Sequence, residues 1–318
     1  MAGIELFAER KRRHRRTWTA AAIVLAMIFL AFGQAGAFFP GVIMGFVDPD
    51  GLTDGWPQLA YQLGVGFGLG SILLLLWVWL FERRGPSSLG LNANGPMRFA
   101  RGYMIGLGFL GTVIGVVWLA GGYVVEGPGA FGSAAVGAAL LPIGLLMLGF
   151  IIQGSSEELL FRGWLMQLIA SRHGLWIAVG ANSFLFALAH AGNIEPSNEL
   201  YVGLANILLF GLFISLYAVR EGSLWGVCGW HAAWNWLLGL GFGLEVSGQV
   251  NQSTPLITDL TAAPDAAWWL TGAAFGPEAS VVTSAVLVVG TAVLIVRGRT
   301  RNHGVEVGPV AAPVVVPT

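Results

Sequence analysis

The sequence predicts an all-α polytopic membrane protein with about eight transmembrane helices and a central polar site inside the membrane. Of its 318 residues, 55% are hydrophobic and only 10% are charged, whereas soluble domains have roughly 25% charged residues. Apolar stretches close to the roughly 20 residues needed to cross the hydrocarbon core recur along the chain. Short polar runs interrupt some of them, and intramembrane polar groups are expensive enough to indicate function.

Eight apolar stretches, separated by turn or charge signals, are predicted to span the membrane. They lie at 17–39, 57–81, 101–123, 134–161, 174–190, 200–219, 223–243 and 279–297. The first stretch follows six basic residues and so resembles a secretory signal peptide. We interpret it as a membrane helix, because residues 17–33 already exceed the apolar region of about 7–15 residues that such signals have. The predicted organisation is a basic cytoplasmic N-terminal segment at 1–16, a transmembrane domain at 17–297 and a disordered cytoplasmic tail at 298–318.

The placement of charge predicts the orientation. The sixteen basic residues fall at the N-terminus or at alternate junctions between the apolar stretches, and the other junctions carry only acidic residues. By the positive-inside rule, both termini of this multi-pass protein are expected in the cytoplasm, with the cell membrane as its location. A net charge of −1 gives no reason to expect nucleic acid as a partner. The single cysteine, Cys228, excludes an intrachain disulfide.

The first polar run contains Glu157, Glu158 and Arg162. On a helix, Glu158 and Arg162 are four residues apart and share a face, while Glu157 points about 100° away. Arg162 is therefore expected to pair with Glu158 and to leave Glu157 free as a base. The alternative is an interfacial charge cluster at the end of the helix.

Two further runs contain hydrogen-bonding side chains. His190 ends an apolar run that includes Phe186, and His231 and Asn235 lie four residues apart on one helical face. Taken singly, His190 could equally be a histidine that caps a helix at the membrane interface. His231 and Asn235 could equally serve only to form hydrogen bonds between helices. If the fourth helix continues to Ala170, the rise per residue puts Glu157 and His190 at roughly similar depth, about 20–24 Å from the cytoplasmic side. If that helix ends at Arg162, the depths no longer match.

These three runs resemble the three-motif signature of the CAAX prenyl protease and bacteriocin-processing family, also called the Abi family of intramembrane proteases. The motifs are Glu157-Glu158-x-x-x-Arg162, Phe186-x-x-x-His190 and His231-x-x-x-Asn235. The matching region runs from about 134 to 243. The resemblance implies a type II CAAX endopeptidase-like hydrolase, with the lipid bilayer and a peptide or membrane protein as its partners.

The roles that the family assigns transfer to these positions. The resemblance implies that Glu157, assisted by His190, activates a water for attack on a peptide carbonyl. It implies that His231 and Asn235 stabilise the oxyanion, and that Glu158 and Arg162 support and orient Glu157. No cofactor is expected.

Other functions stay open at this point. Two histidines and a glutamate are a plausible zinc triad, although no HExxH spacing is present, so a zinc metalloprotease is one alternative. A proton-coupled transporter or a non-catalytic scaffold is another. The sequence does not specify the substrate. It could be a bacteriocin leader, another peptide, a membrane protein or a prenylated protein.

Overall fold

The computed structural model describes residues 4–49, 55–132, 136–249 and 253–302, and it is mostly helical. Helices α1 to α6 are Thr19–Ile43, Trp56–Tyr61, Phe67–Leu80, Gly95–Leu119, Val136–Glu158 and Met166–His173. Helices α7 to α11 are Leu175–Leu188, Asn198–Glu221, Trp225–Trp236, Trp268–Thr271 and Val281–Asn302. Three π-helical segments continue these helices without a break: Gln62–Gly66 joins α2 to α3, Leu159–Leu165 joins α5 to α6, and Leu237–Gly241 extends α9.

Helical structure occupies each of the eight predicted stretches, and the all-α membrane class is confirmed. The number of eight spans is not confirmed, because five helices in the described part of the chain are long and apolar enough to cross a membrane. These five are Thr19–Ile43, Trp56–Leu80, Gly95–Leu119, Val136–His173 and Asn198–Glu221. Leu175–Leu188 and Val281–Arg297 are apolar but shorter, and a helix of 14 residues such as α7 extends only about 21 Å.

Two short strands, which the sequence analysis did not predict, add a small antiparallel sheet. Strand β1 is Tyr123–Pro128 and strand β2 is Thr258–Ala262. The register pairs Tyr123 with Ala262 and shifts between Val125 and Gly127. The sheet ties the segment after α4 to the long connection before α11.

The connections gather at two opposite ends of the helices. At the first, which we call the basic end, the N-terminal segment and two connections pack together through backbone hydrogen bonds. These are Ile4 N to Ala170 O at 3.0 Å, Arg15 N to Glu82 O at 3.1 Å and Leu224 N to Gly90 O at 2.9 Å. The opposite end, which we call the acidic end, comprises 44–49, 120–132, 189–197, 242–249 and 253–280, and none of these stretches contains Lys or Arg.

The predicted tail is only partly covered by the structure. Helix α11 continues to Asn302, and the remainder of the predicted disordered tail, from 303 onward, lies outside the described residues.

Glycines allow α9 to lie close to two other helices. A Cβ at Gly102 of α4 would overlap the backbone carbonyl of Gly226 in α9. A Cβ at Gly154 of α5 would lie 3.1 Å from the Ala232 nitrogen and 3.3 Å from the His231 ring, closer than ordinary van der Waals contact. The close approach of α5 and α9 brings the first and third polar motifs within contact distance.

Candidate active site

The first motif lies inside the helical bundle. Glu157 and Glu158 are the last residues of α5, and Arg162 lies in the π-helical segment that follows. Glu157 is 7% exposed, and Glu158 and Arg162 are fully buried. The fourth span does not end near 161. The alternative in which it continues to Ala170 is the one that the structure supports, since the helix runs through the charged residues to His173. The charges do not end the helix, because they are neutralised by partners within the protein.

Arg162 and Glu158 form a buried ion pair. The Nη1 of Arg162 donates to Oε1 of Glu158 at 3.0 Å, one helical turn apart. The guanidinium also stacks over two aromatic rings, at 4.2 Å from the centroid of Phe186 and 5.6 Å from that of Phe210. Phe186 begins the second motif, so the cation of the first motif packs directly against the helix that leads to His190.

His231 lies between the two carboxylates of the first motif. Its Nδ1 is 2.9 Å from Oε1 of Glu158, and its Nε2 is 3.7 Å from Oε2 of Glu157. An ionised carboxylate accepts hydrogen bonds only, so with Glu158 ionised the Nδ1 of His231 carries a proton and donates a hydrogen bond to Glu158. Glu158 therefore contacts His231, whereas the resemblance implied that it orients Glu157. The reason is geometric, because neighbouring residues on a helix point about 100° apart.

Gln153 is a site residue that the sequence analysis missed. It lies in α5 one turn before Glu157 and is 7% exposed. Its Nε2 donates to Oε1 of Glu157 at 2.7 Å, and its Oε1 accepts from Nδ2 of Asn235 at 2.8 Å. The i, i+4 spacing to Glu157 was the available signal. The contact with Asn235 depends on the approach of α9 and has no signal in the local sequence.

His190 lies just beyond the end of α7 and is partly buried. Its Nδ1 is 2.9 Å from the carbonyl oxygen of Phe186. A carbonyl oxygen can only accept a hydrogen bond, so Nδ1 is the protonated nitrogen. In the neutral ring, the Nε2 is then free to accept a hydrogen bond.

One cavity of about 430 Å³ brings the motifs together. It is lined by Glu157, His190, His231 and Asn235, and also by Gln153. Glu158 and Arg162 do not line it and lie behind His231. Within the described residues, Oε2 of Glu157 has no hydrogen-bond partner although it is buried. These five lining residues therefore provide a carboxylate, two imidazoles and two amide side chains.

The described residues contain no group of three or more His, Cys, Asp or Glu side chains arranged to hold a metal ion. His231 has its Nδ1 occupied by Glu158, and His190 has its Nδ1 at a backbone carbonyl. The zinc alternative therefore requires a direct test with chelators.

Comparison with known protein families identifies the central region. Residues 139–237 match the family model for Rce1-like proteins, described as Type II CAAX prenyl endopeptidase Rce1-like. This region, less than a third of the 318-residue chain, contains all three motifs. The family resemblance is confirmed. No curated protein and no solved structure matches the chain.

The match decides the general class of the protein. The Rce1-like family is a peptidase family, so the chain is an enzyme with endopeptidase activity. Its apolar helices make it a transmembrane protein, and together these findings describe an intramembrane protease that acts on a peptide substrate.

Proposed function

We propose that this protein is a glutamate-type intramembrane endopeptidase in which Glu157 and His190 activate a water and His231 and Asn235 stabilise the oxyanion. The observation that carries the proposal is the state of the Glu157 carboxylate. One oxygen accepts a hydrogen bond from Gln153, while the other has no hydrogen-bond partner among the described residues and lies 3.7 Å from Nε2 of His231, and Glu157 lines a cavity shared with His190. A general base needs a positioned carboxylate with one oxygen that is not already engaged in a hydrogen bond.

The first step is the attack of water on the peptide carbonyl. Oε2 of Glu157 takes one proton from the water, while Nε2 of His190 accepts a hydrogen bond from the other. The water oxygen forms a bond to the carbonyl carbon, and the carbonyl π electrons move to oxygen to give a tetrahedral oxyanion. The protonated Glu157 then donates its proton to the amide nitrogen as the C–N bond breaks, which releases an amine and a carboxylic acid.

The oxyanion is stabilised from the α9 side of the cavity. The amide nitrogen of Asn235 has two N–H donors, and one of them donates to Gln153, which leaves the second for the oxyanion in the cavity that Asn235 lines. A single well-placed donor of this kind is typically worth about 10²–10³ in rate.

His231 donates to the same oxyanion from Nε2, which requires a doubly protonated ring because Nδ1 already donates to Glu158. The local charges support this form. Two carboxylates, Glu157 and Glu158, are buried with one guanidinium, that of Arg162, and an imidazolium at His231 brings the cluster to neutrality. A buried cluster with a net charge would be costly.

Orientation and localisation follow from the charge asymmetry. We propose that the basic end faces the cytoplasm, that both termini lie there and that the protein resides in the cell membrane. The cavity then opens away from the cytoplasm, since its lining includes Asn193, Ser247 and Gln249 of the acidic end.

The decisive experiment compares the wild-type protein with Glu157→Gln, which preserves the size of the side chain and the acceptor for Gln153 but removes the base. Both proteins are purified in detergent and incubated with a degenerate peptide library, and new termini are identified by mass spectrometry. We expect cleavage by the wild type only, with activity unchanged after dialysis against a chelator. Cleavage retained in Glu157→Gln contradicts the assignment of the base, and loss of wild-type activity on chelation, restored by zinc, favours the metal alternative.

A further inference from the structure

Glu278 is a partly buried acid at the acidic end that the proposed reaction does not use. It lies in the short helical turn Pro277–Ala279, just before α11. Its backbone carbonyl accepts a hydrogen bond from Nδ2 of Asn206 in α8 at 2.8 Å, which anchors this turn to the helical bundle. Glu278 also lines a small pocket together with three residues of the proposed site, His190, His231 and Asn235. An anchored acid beside these residues can influence where they lie.

The side chain of Glu278 connects two separate parts of the chain. Its Oε2 accepts hydrogen bonds from the backbone N–H and from the hydroxyl of Ser247, the second at 2.8 Å. Its Oε1 accepts a hydrogen bond from the indole N–H of Trp234 in α9 at 3.0 Å. Both carboxyl oxygens of Glu278 are therefore engaged, one by the connection after α9 and the other by α9 itself.

Ser247 has a backbone conformation that needs such support. Val246 and Gln249 exchange two backbone hydrogen bonds of 3.0 and 2.9 Å, and the central residues Ser247 and Gly248 have φ angles of 51° and 81°. Positive φ at both central positions is characteristic of a type I′ turn, which favours glycine, asparagine or aspartate there. A serine at the first central position is disfavoured, because its Cβ crowds the backbone in the left-handed region. The hydrogen bonds to Glu278 therefore stabilise the turn in its observed conformation.

The same turn contacts the segment that contains His190. Nδ2 of Asn193 donates to the carbonyl oxygen of Ser247 at 2.8 Å, and the backbone N–H of Asn193 donates to the carbonyl oxygen of His190 at 3.1 Å. His190 lies beyond Leu188, the last residue of α7, so contacts made by the segment that follows the helix contribute to its position. A continuous series of hydrogen bonds thus leads from Glu278 through Ser247 and Asn193 to the backbone of His190.

We propose that Glu278 is a positioning residue for His190, acting through the turn Val246–Gln249 and through Asn193. This inference rests on the proposed function, in which Nε2 of His190 accepts a hydrogen bond from the attacking water. Glu278 does not contact that water in this proposal. It holds the segment after α7 in place, so that the imidazole stays within hydrogen-bond reach of the water. A displacement of about 1 Å at a reacting group can cost about 10²-fold in rate.

The first test is Glu278→Gln in the full-length protein, purified in detergent and assayed with a peptide that the degenerate library identifies as a substrate. Glutamine has the same size but only one acceptor oxygen, so it cannot accept from both Ser247 and Trp234. We expect kcat to fall about tenfold to a hundredfold. Glu195→Gln, which changes an exposed acid at the same end, is the matched control and should keep the wild-type kcat.

Two further measurements separate positioning from a general loss of structure. Backbone hydrogen exchange in Glu278→Gln should be faster at 189–197 and 242–249, and it should be unchanged in α5 and α9. The single cysteine, Cys228 in α9, is buried, and its reaction with a thiol reagent should keep the wild-type rate. Faster exchange throughout the bundle, or faster labelling of Cys228, would show that Glu278 stabilises the whole fold and would overturn the proposal.

Variants at the other links identify the route. Ser247→Gly removes the Cβ that opposes positive φ, so adding it to Glu278→Gln should raise kcat about fivefold or more. Asn193→Ala breaks the next link and should lower kcat as Glu278→Gln does. The double variant of Asn193 and Glu278 should be no slower than the slower single variant, because groups that act as a unit are non-additive. Trp234→Phe removes only the contact with α9 and should have the smaller effect.

The outcomes separate the two proposals. Absence of any cleavage that depends on Glu157 contradicts the proposed function and, with it, a role of Glu278 in the reaction. Cleavage that depends on Glu157 but keeps the wild-type kcat in Glu278→Gln overturns the positioning role alone. A loss of kcat that Trp234→Phe reproduces and Asn193→Ala does not also overturns it, because Glu278 would then act through α9 and not through His190.

Discussion

Glu158 and Glu157 are adjacent in sequence, but the structure predicts opposite consequences for their removal. In Glu158→Gln, the guanidinium of Arg162 loses its ion pair and keeps only the rings of Phe186 and Phe210, since its Nε and Nη2 have no hydrogen-bond partner among the described residues. Breaking a fully buried pair from one side costs about 3–5 kcal/mol.

Glu157→Gln removes only the longer contact of 3.7 Å with His231, and the His231 ring can release its second proton so that the buried cluster stays neutral. The new amide oxygen still accepts from Gln153, and the other original oxygen had no hydrogen-bond partner within the described residues. We therefore expect near-normal stability and no activity in this variant, against a large loss of stability in Glu158→Gln. Arg162→Met should be less costly than Glu158→Gln, because Glu158 keeps its contact of 2.9 Å with His231.

The protein contains its own probe for this measurement. Cys228 is the only cysteine in the sequence and is 1% exposed, so a thiol reagent modifies it only when the surrounding helices open. If Glu158→Gln lowers the free energy of opening by about 3–5 kcal/mol, the population of the open state rises roughly a hundredfold to a few thousandfold. The rate of Cys228 labelling rises by the same factor when opening and closing are fast. Equal acceleration of labelling in Glu157→Gln and Glu158→Gln would refute the division of roles between the two carboxylates.

Three further predictions concern orientation and the oxyanion side of the cavity. A cysteine at exposed Glu195 should react with an impermeant reagent added outside intact cells and one at exposed Ala93 should not, whereas the reverse pattern would invert the proposed orientation. Alanine at His231 or Asn235 should lower kcat by about 10²-fold or more with little change in KM, and the double variant should lose less than the product of the two, because groups that act as a unit are non-additive. A pure KM effect would instead assign the pair to substrate binding. Gln153→Leu should lower kcat, because both hydrogen bonds of Gln153 are lost. Gln153→Glu should not restore kcat, because the new carboxylate still accepts from Asn235 but places a like charge beside Glu157. A normal kcat in Gln153→Leu would show that Gln153 is not part of the site.

The fold class was predictable because it depends on composition and length. The cost of exposing polar groups to hydrocarbon is large, so long apolar stretches are a strong signal for membrane helices. The number of spans was less predictable, since α7 is apolar but has only 14 residues. The two strands could not be found, because β1 and β2 are separated by more than a hundred residues and their pairing is set by tertiary contact.

Within the site, contacts along one helix were predictable and contacts between helices were not. The spacing of four residues correctly indicated that Glu158 and Arg162 share a helical face, and the structure pairs them. The contact between His231 and Glu158 depends on the close approach of α9 to α5 at Gly154, and no local pattern contains that information. Gln153 was missed for the same reason.

The polar residues of the site form one connected series of contacts that joins all the carboxylates and amides. Asn235 donates to Gln153, Gln153 donates to Glu157, and His231 reaches from Glu157 to Glu158. His231 of α9 thus contacts both carboxylates of α5, and Asn235 of α9 is linked to Glu157 through Gln153. A substitution at Asn235 or at Glu158 is therefore expected to alter the orientation of Glu157, the proposed base, without contacting it directly. The position of the Glu157 carboxylate is therefore a property of the packing between α5 and α9, and small residues such as Gly154 that permit this packing influence the chemistry as directly as the polar residues do.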